Sequence, residues 1–474
     1  MPLLALPRAM HYIWTTGPKK QQDSRRLKKH TLLTVSGIAV MGCIAWLGAR
    51  HAERVMLDKN IDTLRQTLGP DTSLTYASAN PGLLGRSVVF TGLVYRQGAE
   101  TITAEQAELS RPDTRNDDTP NINHLSFHNI QLTDPAGSLQ VEQLSIDGLV
   151  LPTRGDDPAA PTPLPSIGHA HASKLHGFIS SLQSDITAES VVVDDFGDNV
   201  SSRLLAKAVR LATDVAPPRR FTAASISIDG VDLAGLCRSL ATGTPLTTRP
   251  GVRDVEILDV AIDGPAPLLR VGRILSHANL NDTSEQEVSS AQNVELWPEV
   301  PNLGWLPLLG YDRFRASVVL NDSHDLKTGV MHVEELSVDA PEMGRLHLHG
   351  DFLQQAAGSV LANAGPDMRV VSMTLNYLDR GLAPRALKAV ATAHDISTQD
   401  LLSAMRTQGQ GGAGHAPGPV DKIVTFLSHP GDKPLNLTIH PAQPMPILGI
   451  VAALSTLGTA PQISQQIGLS VNTP

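Results

Sequence analysis

From Ser73 onward the chain alternates apolar and polar residues with a period of two, and the alternation repeatedly slips by one residue. In LQVEQLSIDGLVL, residues 139 to 151, the apolar positions fall at Leu139 and Val141, then Leu144 and Ile146, then Leu149 and Leu151. In MHVEELSVD the same slip separates Met331 and Val333 from Leu336 and Val338. A period of two is the period of a strand, and a one-residue slip sends side chains to the opposite face unless a bulge or bend absorbs it. The pairs Glu142-Gln143 and Glu334-Glu335 are therefore expected to mark bulges or corners.

The surroundings of the two eight-residue copies, VEQLSIDG and VEELSVDA, repeat as well. HLSFHNIQL, a turn TDPAGS and LQVEQLSID form one strand-turn-strand unit; FRASVVL, a turn NDSHDLKTG and VMHVEELSVD form another. Weaker echoes are SISIDGVDL (225 to 233) and LDVAIDGP (258 to 265), at spacings too irregular for a solenoid of fixed period. What recurs is a strand with Leu, Ile or Val on one face and Ser and Asp on the other, which packs on something apolar on one side only. Thirty-eight Gly and thirty-four Pro in 474 residues supply the turns of many short strands.

The N-terminal part reads differently. Thr31 to Ala49 is nineteen residues without a charge, a helix of about 28 Å at ~1.5 Å per residue, close to the hydrocarbon core of a bilayer. Lys19, Lys20, Arg25, Arg26, Lys28 and Lys29 precede it against Asp23, whereas Arg50 and Arg54 mix with Glu53 and Asp58 after it. The positive-inside rule then keeps the first thirty residues in the cytoplasm and exports the rest. A cleaved signal peptide would need a short n-region and small residues before the cut. A buried core helix would leave the charge asymmetry without a cause. Leu57, Ile61, Leu64 and Leu68 continue at helical spacing to Gly69-Pro70.

Residues 1–30 carry +6, seven Lys or Arg against one Asp, so with the whole chain at −9 the exported remainder stands at −15. That sign argues against nucleic acid, which needs Lys and Arg clusters. Cys43 lies in the apolar span and Cys237 is alone beyond it, so no internal disulfide joins the exported part. A bacterial periplasm suits such a domain better than a eukaryotic secretory route.

At 474 residues several packed units are expected. The boundaries read as a basic cytoplasmic tail 1–30, a transmembrane helix 31–49, a juxtamembrane helix 50–70, a first β unit 71–155, a Pro-rich connection 156–172, a second β-rich unit 173–300, a third β unit 301–378, and a helical region 379–474 with closing strands. SKLHGFISSLQ (173 to 183) is a short helical candidate, and WPEVPNLGWLPLLG (297 to 310) a break. Toward the end, Ser397 caps a helix with Asp400 completing a capping box, Pro419 suits the first turn of another, and MPILGIVAALSTLG is apolar but too short to span. The fold class is thus α+β: a transmembrane helix, a meandering antiparallel sheet forming a curved sheet or groove, and a helical C-terminal region.

Candidate chemistry is sparse. His169, His171 and His176, or His347 and His349, are potential metal ligands, but no H-E-x-x-H or adjacent Cys supports them, and a solvated strand face accounts for the alternation. Asp194, Asp195 and Asp198 lack the order and distal Glu of a calcium loop. The Gly-rich stretch 408 to 419 lacks the G-K-[ST] of a P-loop, there is no G-x-S-x-G, and Cys237 reads as helix core. No metal, cofactor or catalytic group is expected.

The apolar span 31–49 and the segments 124–152, 314–352 and 434–472 together resemble the AsmA-like group of proteobacterial envelope proteins. That resemblance implies an inner-membrane protein whose exported domain shields lipid in an apolar β-groove or helps envelope assembly. The apolar positions of the repeat, Leu144, Ile146, Leu336 and Val338, are then the groove-lining candidates, with lipid and envelope proteins as partners. A purely structural partner of an envelope complex is the alternative, and a hydrolase would need a polar cleft for which the sequence offers no candidate.

Overall fold

A computed structural model describes residues 72–82, 87–110, 121–150, 164–180, 182–242, 249–353, 368–409, 418–431, 433–455 and 462–472. The basic tail, the span 31–49 and the helix expected over 50–70 lie outside the described residues. Among the described residues no helix is long and apolar enough to cross a membrane. The rest is an α+β structure built mostly from antiparallel strands.

Two compact units are present. Among the described residues one holds 72–249 and 253–265, the other 250–252 and 266–472. They part inside the stretch read from the sequence as the second β-rich unit. The first unit contains β1 (Thr72–Thr75), β2 (Ser78–Pro81), β3 (Ser87–Gln97), β4 (Glu100–Ser110), β5 (Asn121–Asp134), β6 (Gly137–Val150), β7 (Ser166–Ile179), β8 (Ser184–Phe196), β9 (Ser202–Thr213), β10 (Arg219–Val231), the helix α1 (Leu233–Thr242) and, apart from its first two residues, β11 (Gly251–Asp263). From β3 to β11 each strand pairs antiparallel with the next, while β1 and β2 both pair with β3.

The second unit contains β12 (Pro267–Leu280), β13 (Ser284–Leu296), β14 (Phe314–Asp325), β15 (Val330–Ala340), β16 (Gly344–Leu353) and β17 (Arg369–Asp379), again a meander. The helices α2 (Leu382–Ala393), α3 (Thr398–Gly409) and α4 (Pro419–Ser428) follow. Strands β18 (Leu435–Ile439) and β19 (Met445–Pro446) then add to β17, and after α5 (Ile447–Ser455) and α6 (Gln462–Gln466) the strand β20 (Ser470–Asn472) adds to β18. Asp400 N–H is bonded to Ser397 Oγ at 3.0 Å, and Ser397 Oγ donates to Asp400 Oδ2 at 2.6 Å, as a capping box requires.

The register slip read from the sequence has a common physical origin in the first unit. On every odd strand from β3 to β11 one residue in the interior of the strand adopts positive φ: Gly92 (59°), Asn129 (50°), Lys174 (49°), Ala208 (51°) and Asp259 (52°). The flanking pairs place them opposite Glu105, Glu142, Glu189 and Ala224 on the even strands, so they form one row across the sheet. Each left-handed residue resets the pleat, and the apolar alternation resumes on its original face. Phe90 and Leu93, Ala104 and Ala107, and Phe127 and Leu132 all belong to one buried cluster despite their odd separations.

A second row crosses six residues away on the even strands, at Gly148 (64°), Asp195 (55°) and Gly230 (79°). The segment VEQLSIDG therefore runs from one row to the other. At Glu142-Gln143 the register does not shift, because both partner strands carry the irregularity at the same level. At Glu334-Glu335 it does shift against both β14 and β16, so that pair is a bulge as expected.

Four readings need correction. The Pro-rich connection does not extend to residue 172, because β7 begins at Ser166. SKLHGFI is the second half of that strand and not a helix; its backbone is held by both β6 and β8, and Lys174 absorbs the slip. The turn read as NDSHDLKTG is shorter, since β14 continues to Asp325. Met445 and Pro446 are paired with β17 rather than helical, so the apolar helix starts at Ile447.

Candidate functional site

Leu144 and Ile146 belong to two rows of aliphatic side chains set by the register of the first unit. One runs Leu109, Leu125, Ile146, Ala170, Val193, Leu204, Ile228 and Val255; the other runs Ala107, Phe127, Leu144, Ala172, Val191, Ala206, Ile226 and Ile257. Beyond the first row of positive φ, Leu139, Gly177, Ile186, Leu211, Phe221 and Ile262 make a third. The first row starts in a core, with Leu109, Leu125 and Ile146 at 1%, 0% and 2% exposure. From β7 onward its members, Ala170, Val193, Leu204, Ile228 and Val255, are all partly exposed. Ile146 is thus a core residue, and Leu144 packs against the same cluster. The accessible part of the face lies further along the same rows, on strands the sequence reading did not nominate.

Leu336 and Val338 sit in the second unit. Leu336 aligns with Leu320 and Leu348, and packs against the cluster that includes Ile450 of α5 and Ile467 after α6. It is partly buried against that cluster, to which the C-terminal helices contribute. Val338 is half-buried and in register with Val318 and Leu346. One strand further, Tyr377 meets Phe426 of α4 edge to face at 6.0 Å. Helix α5 buries Ile450 while Leu448 and Val451 stay 67% and 56% exposed. It is core on one side only.

The polar face carries cross-strand pairs. His124 Nδ1 lies 2.6 Å from Asp147 Oδ1, His169 Nδ1 2.6 Å from Asp194 Oδ1, and His332 Nδ1 2.6 Å from Asp351 Oδ1. The hydrogen bond from His332 holds the Asp351 carboxyl below its ordinary range, and the guanidinium of Arg345 does the same for Asp339. His176 faces Asp185 at 3.7 Å, and the rings of His347 and His349 are 5.9 Å apart. Asp194, Asp195 and Asp198 do not converge: Asp194 takes His169, Asp198 takes Arg238, and Asp195 holds a left-handed backbone position. Among the described residues no three His, Cys, Asp or Glu are arranged to hold a metal ion. Cys237, on α1, is partly exposed rather than core; burial still raises its thiol pKa.

Residues 337–474, under a third of the chain, match a family model described as uncharacterized protein. No curated protein matches. The matched segment begins inside β15 and takes in β16 to β20 with all the C-terminal helices. It contains Val338 but not Leu144, Ile146 or Leu336.

Proposed function

We propose that this chain is an inner-membrane protein of AsmA-like type whose exported β-rich part holds lipid or another apolar ligand and serves envelope maintenance. The reading places the basic tail in the cytoplasm, the span 31–49 in the bilayer and the remainder in the periplasm. The observation that carries it is the row leaving the core at Ile146 and continuing partly exposed through Ala170, Val193, Leu204, Ile228 and Val255. Aliphatic residues in five successive strands form a contiguous apolar strip, larger than scattered surface side chains require, and such strips mark apolar ligands or partners. The groove-lining set under this reading is the β8–β11 part of the rows, with Leu144 and Ile146 at its buried end.

Extraction and mass analysis of lipid co-purifying with the full chain in detergent tests this. Stoichiometric phospholipid, reduced when Val193, Leu204 and Ile228 are replaced together by Ser, is the expected result. A lipid-free chain would overturn it.

The alternative, a structural partner of an envelope complex, draws on Leu448 and Val451 of α5. Crosslinking from those positions in membranes to one protein neighbour, with no lipid in the extract, would favour it.

A further inference from the structure

Along β14 the buried face reads Phe314, Ala316, Val318 and Leu320, and then, without change of parity, Asp322 and His324, each 3% exposed. On β13 the same face carries Glu287 opposite Asp322 and Glu285 opposite His324, at 5% and 8% exposure. The neighbours in register on the flanking strands are apolar: Ala278 and Leu280 on β12, Val333 and Met331 on β15. Three carboxylates and an imidazole are thus gathered where an ordinary sheet of this pattern would place Leu and Val.

Glu287 is supplied with donors, since Ser276 Oγ and Ser289 Oγ lie 3.0 and 2.6 Å from its Oε1. Asp322 Oδ1 and both ring nitrogens of His324 are buried without any hydrogen-bond partner. A buried acceptor left unmatched costs the full desolvation of that group, and neighbouring carboxylates add repulsion. Among the described residues Asp322 Oδ1 and the His324 ring lack one thing, a group that brings N–H donors to them. The arrangement is not one that holds a metal ion.

We propose that Glu285, Glu287, Asp322 and His324 form a binding site for a protonated primary amine. An ammonium carries three donors on one compact charge. One donor goes to Asp322 Oδ1 and one to an unprotonated ring nitrogen of His324, while Glu287, whose own donors are two neutral serine hydroxyls, supplies the balancing charge. The amine is either free or the headgroup of a lipid. Only the second source rests on the lipid reading above.

The test titrates the full chain in nonionic detergent with ethanolamine, with ethylene glycol as the uncharged control, and in parallel with micelles doped with phosphatidylethanolamine or phosphatidylglycerol. The readout is the dose-dependent shift of the unfolding midpoint. Binding of ethanolamine or phosphatidylethanolamine over its control is expected. Asp322→Asn and Glu287→Gln should each weaken it about tenfold, the factor a charge-assisted hydrogen bond supplies. Two near-isosteric variants guard against one failing to fold. Response to ethanolamine alone keeps the site and makes the amine soluble; response to phosphatidylethanolamine alone makes it lipid-borne. No response to either amine, or a response that both folded variants retain in full, overturns the site. Equal retention of both lipids with no amine preference overturns the site while leaving the lipid reading standing.

Discussion

Asp147, the aspartate of VEQLSIDG, lies 2.6 Å from His124 on one side and in register with His169 on the other. His169 in turn meets Asp194 at 2.6 Å, and the same level continues through Arg203, Asp229 and Asp254. The conspicuous acid of the repeat is therefore one rung in a ladder of ionisable side chains. The equivalent Asp339 of VEELSVDA accepts from Arg345 and Arg380, each at 2.6 Å. Such half-exposed pairs contribute little individually, about 0.2–1 kcal/mol. A double-mutant cycle on His169 and Asp194, followed by urea unfolding, should return a coupling in that range.

The positive-φ row makes a sharper prediction. Ala208 holds φ of 51° with a Cβ that disfavours it. Ala208→Gly should stabilise by about 1 kcal/mol, and Ala208→Val should destabilise by at least that much, since β-branching adds to the clash. Urea midpoints of the two variants with unchanged m-values check this.

Burial separates the two ends of the apolar row. Ile146→Ala, at 2% exposure, should cost about 2–5 kcal/mol. Ile228→Ala, on the partly exposed side, should cost less than half as much and should lower the amount of co-purified lipid. Equal stability losses at the two positions would mean that the face is equally covered at both ends.

Asp322 should give a pH dependence of definite sign. Burial first, and then Glu287 and Glu285, push its carboxyl up to about 7 from an ordinary 3.8. The folded chain keeps a proton that the unfolded chain releases near pH 4, so this group removes stability as pH rises from 4 to 7 and its effect is complete above. A rise of that size is worth roughly 4 kcal/mol. Asp322→Asn should therefore gain on the wild type between pH 5 and pH 8. Unfolding free energies of both proteins at the two pH values, without added amine, measure the difference.

Asp379 secures the second unit to its helices. Buried at 4% exposure, it accepts from the backbone N–H groups of Gly381 and Ala383 at 2.9 and 2.8 Å, and Tyr377 Oη lies 2.8 Å from it. Asp379→Ala should cost about 2–4 kcal/mol by stranding the first turn of α2 and removing one of the two acceptors of the Tyr377 hydroxyl, the other being Met343 O at 3.1 Å. Thermal unfolding checks it, and Tyr377→Phe should cost only about 1 kcal/mol.

The strand meander and the slip at the glutamates could be read from residue order, because period-two alternation and its interruption are local properties. Other copies of the module were missed. TAEQAEL on β4 and TAESVVVD on β8 have Ala104 and Ala188 where β6 has Val141, and alanine is a weak apolar signal. What identifies them is position: Glu189 precedes Asp194 by five residues, as Glu142 precedes Asp147 and Glu334 precedes Asp339. SKLHGFI was misread because Lys174 in a left-handed conformation shifts the parity that distinguishes strand from helix. Asp322 and His324 looked like turn residues because polar side chains argue for solvent. Their parity with Leu320 was the contrary signal, visible but outvoted. Which end of an apolar row is covered depends on contacts between segments far apart in the chain, and alternation carries no information about that.

The alternation of the two positive-φ rows between odd and even strands restricts how a protein of this kind can grow. Insertion of a hairpin between β7 and β8 would prolong both rows and keep each left-handed residue opposite an extended one. Insertion of a single strand would set two left-handed residues side by side and reverse the direction of every strand beyond it. Lengthening or shortening in this part of the chain must therefore come in quanta of two strands.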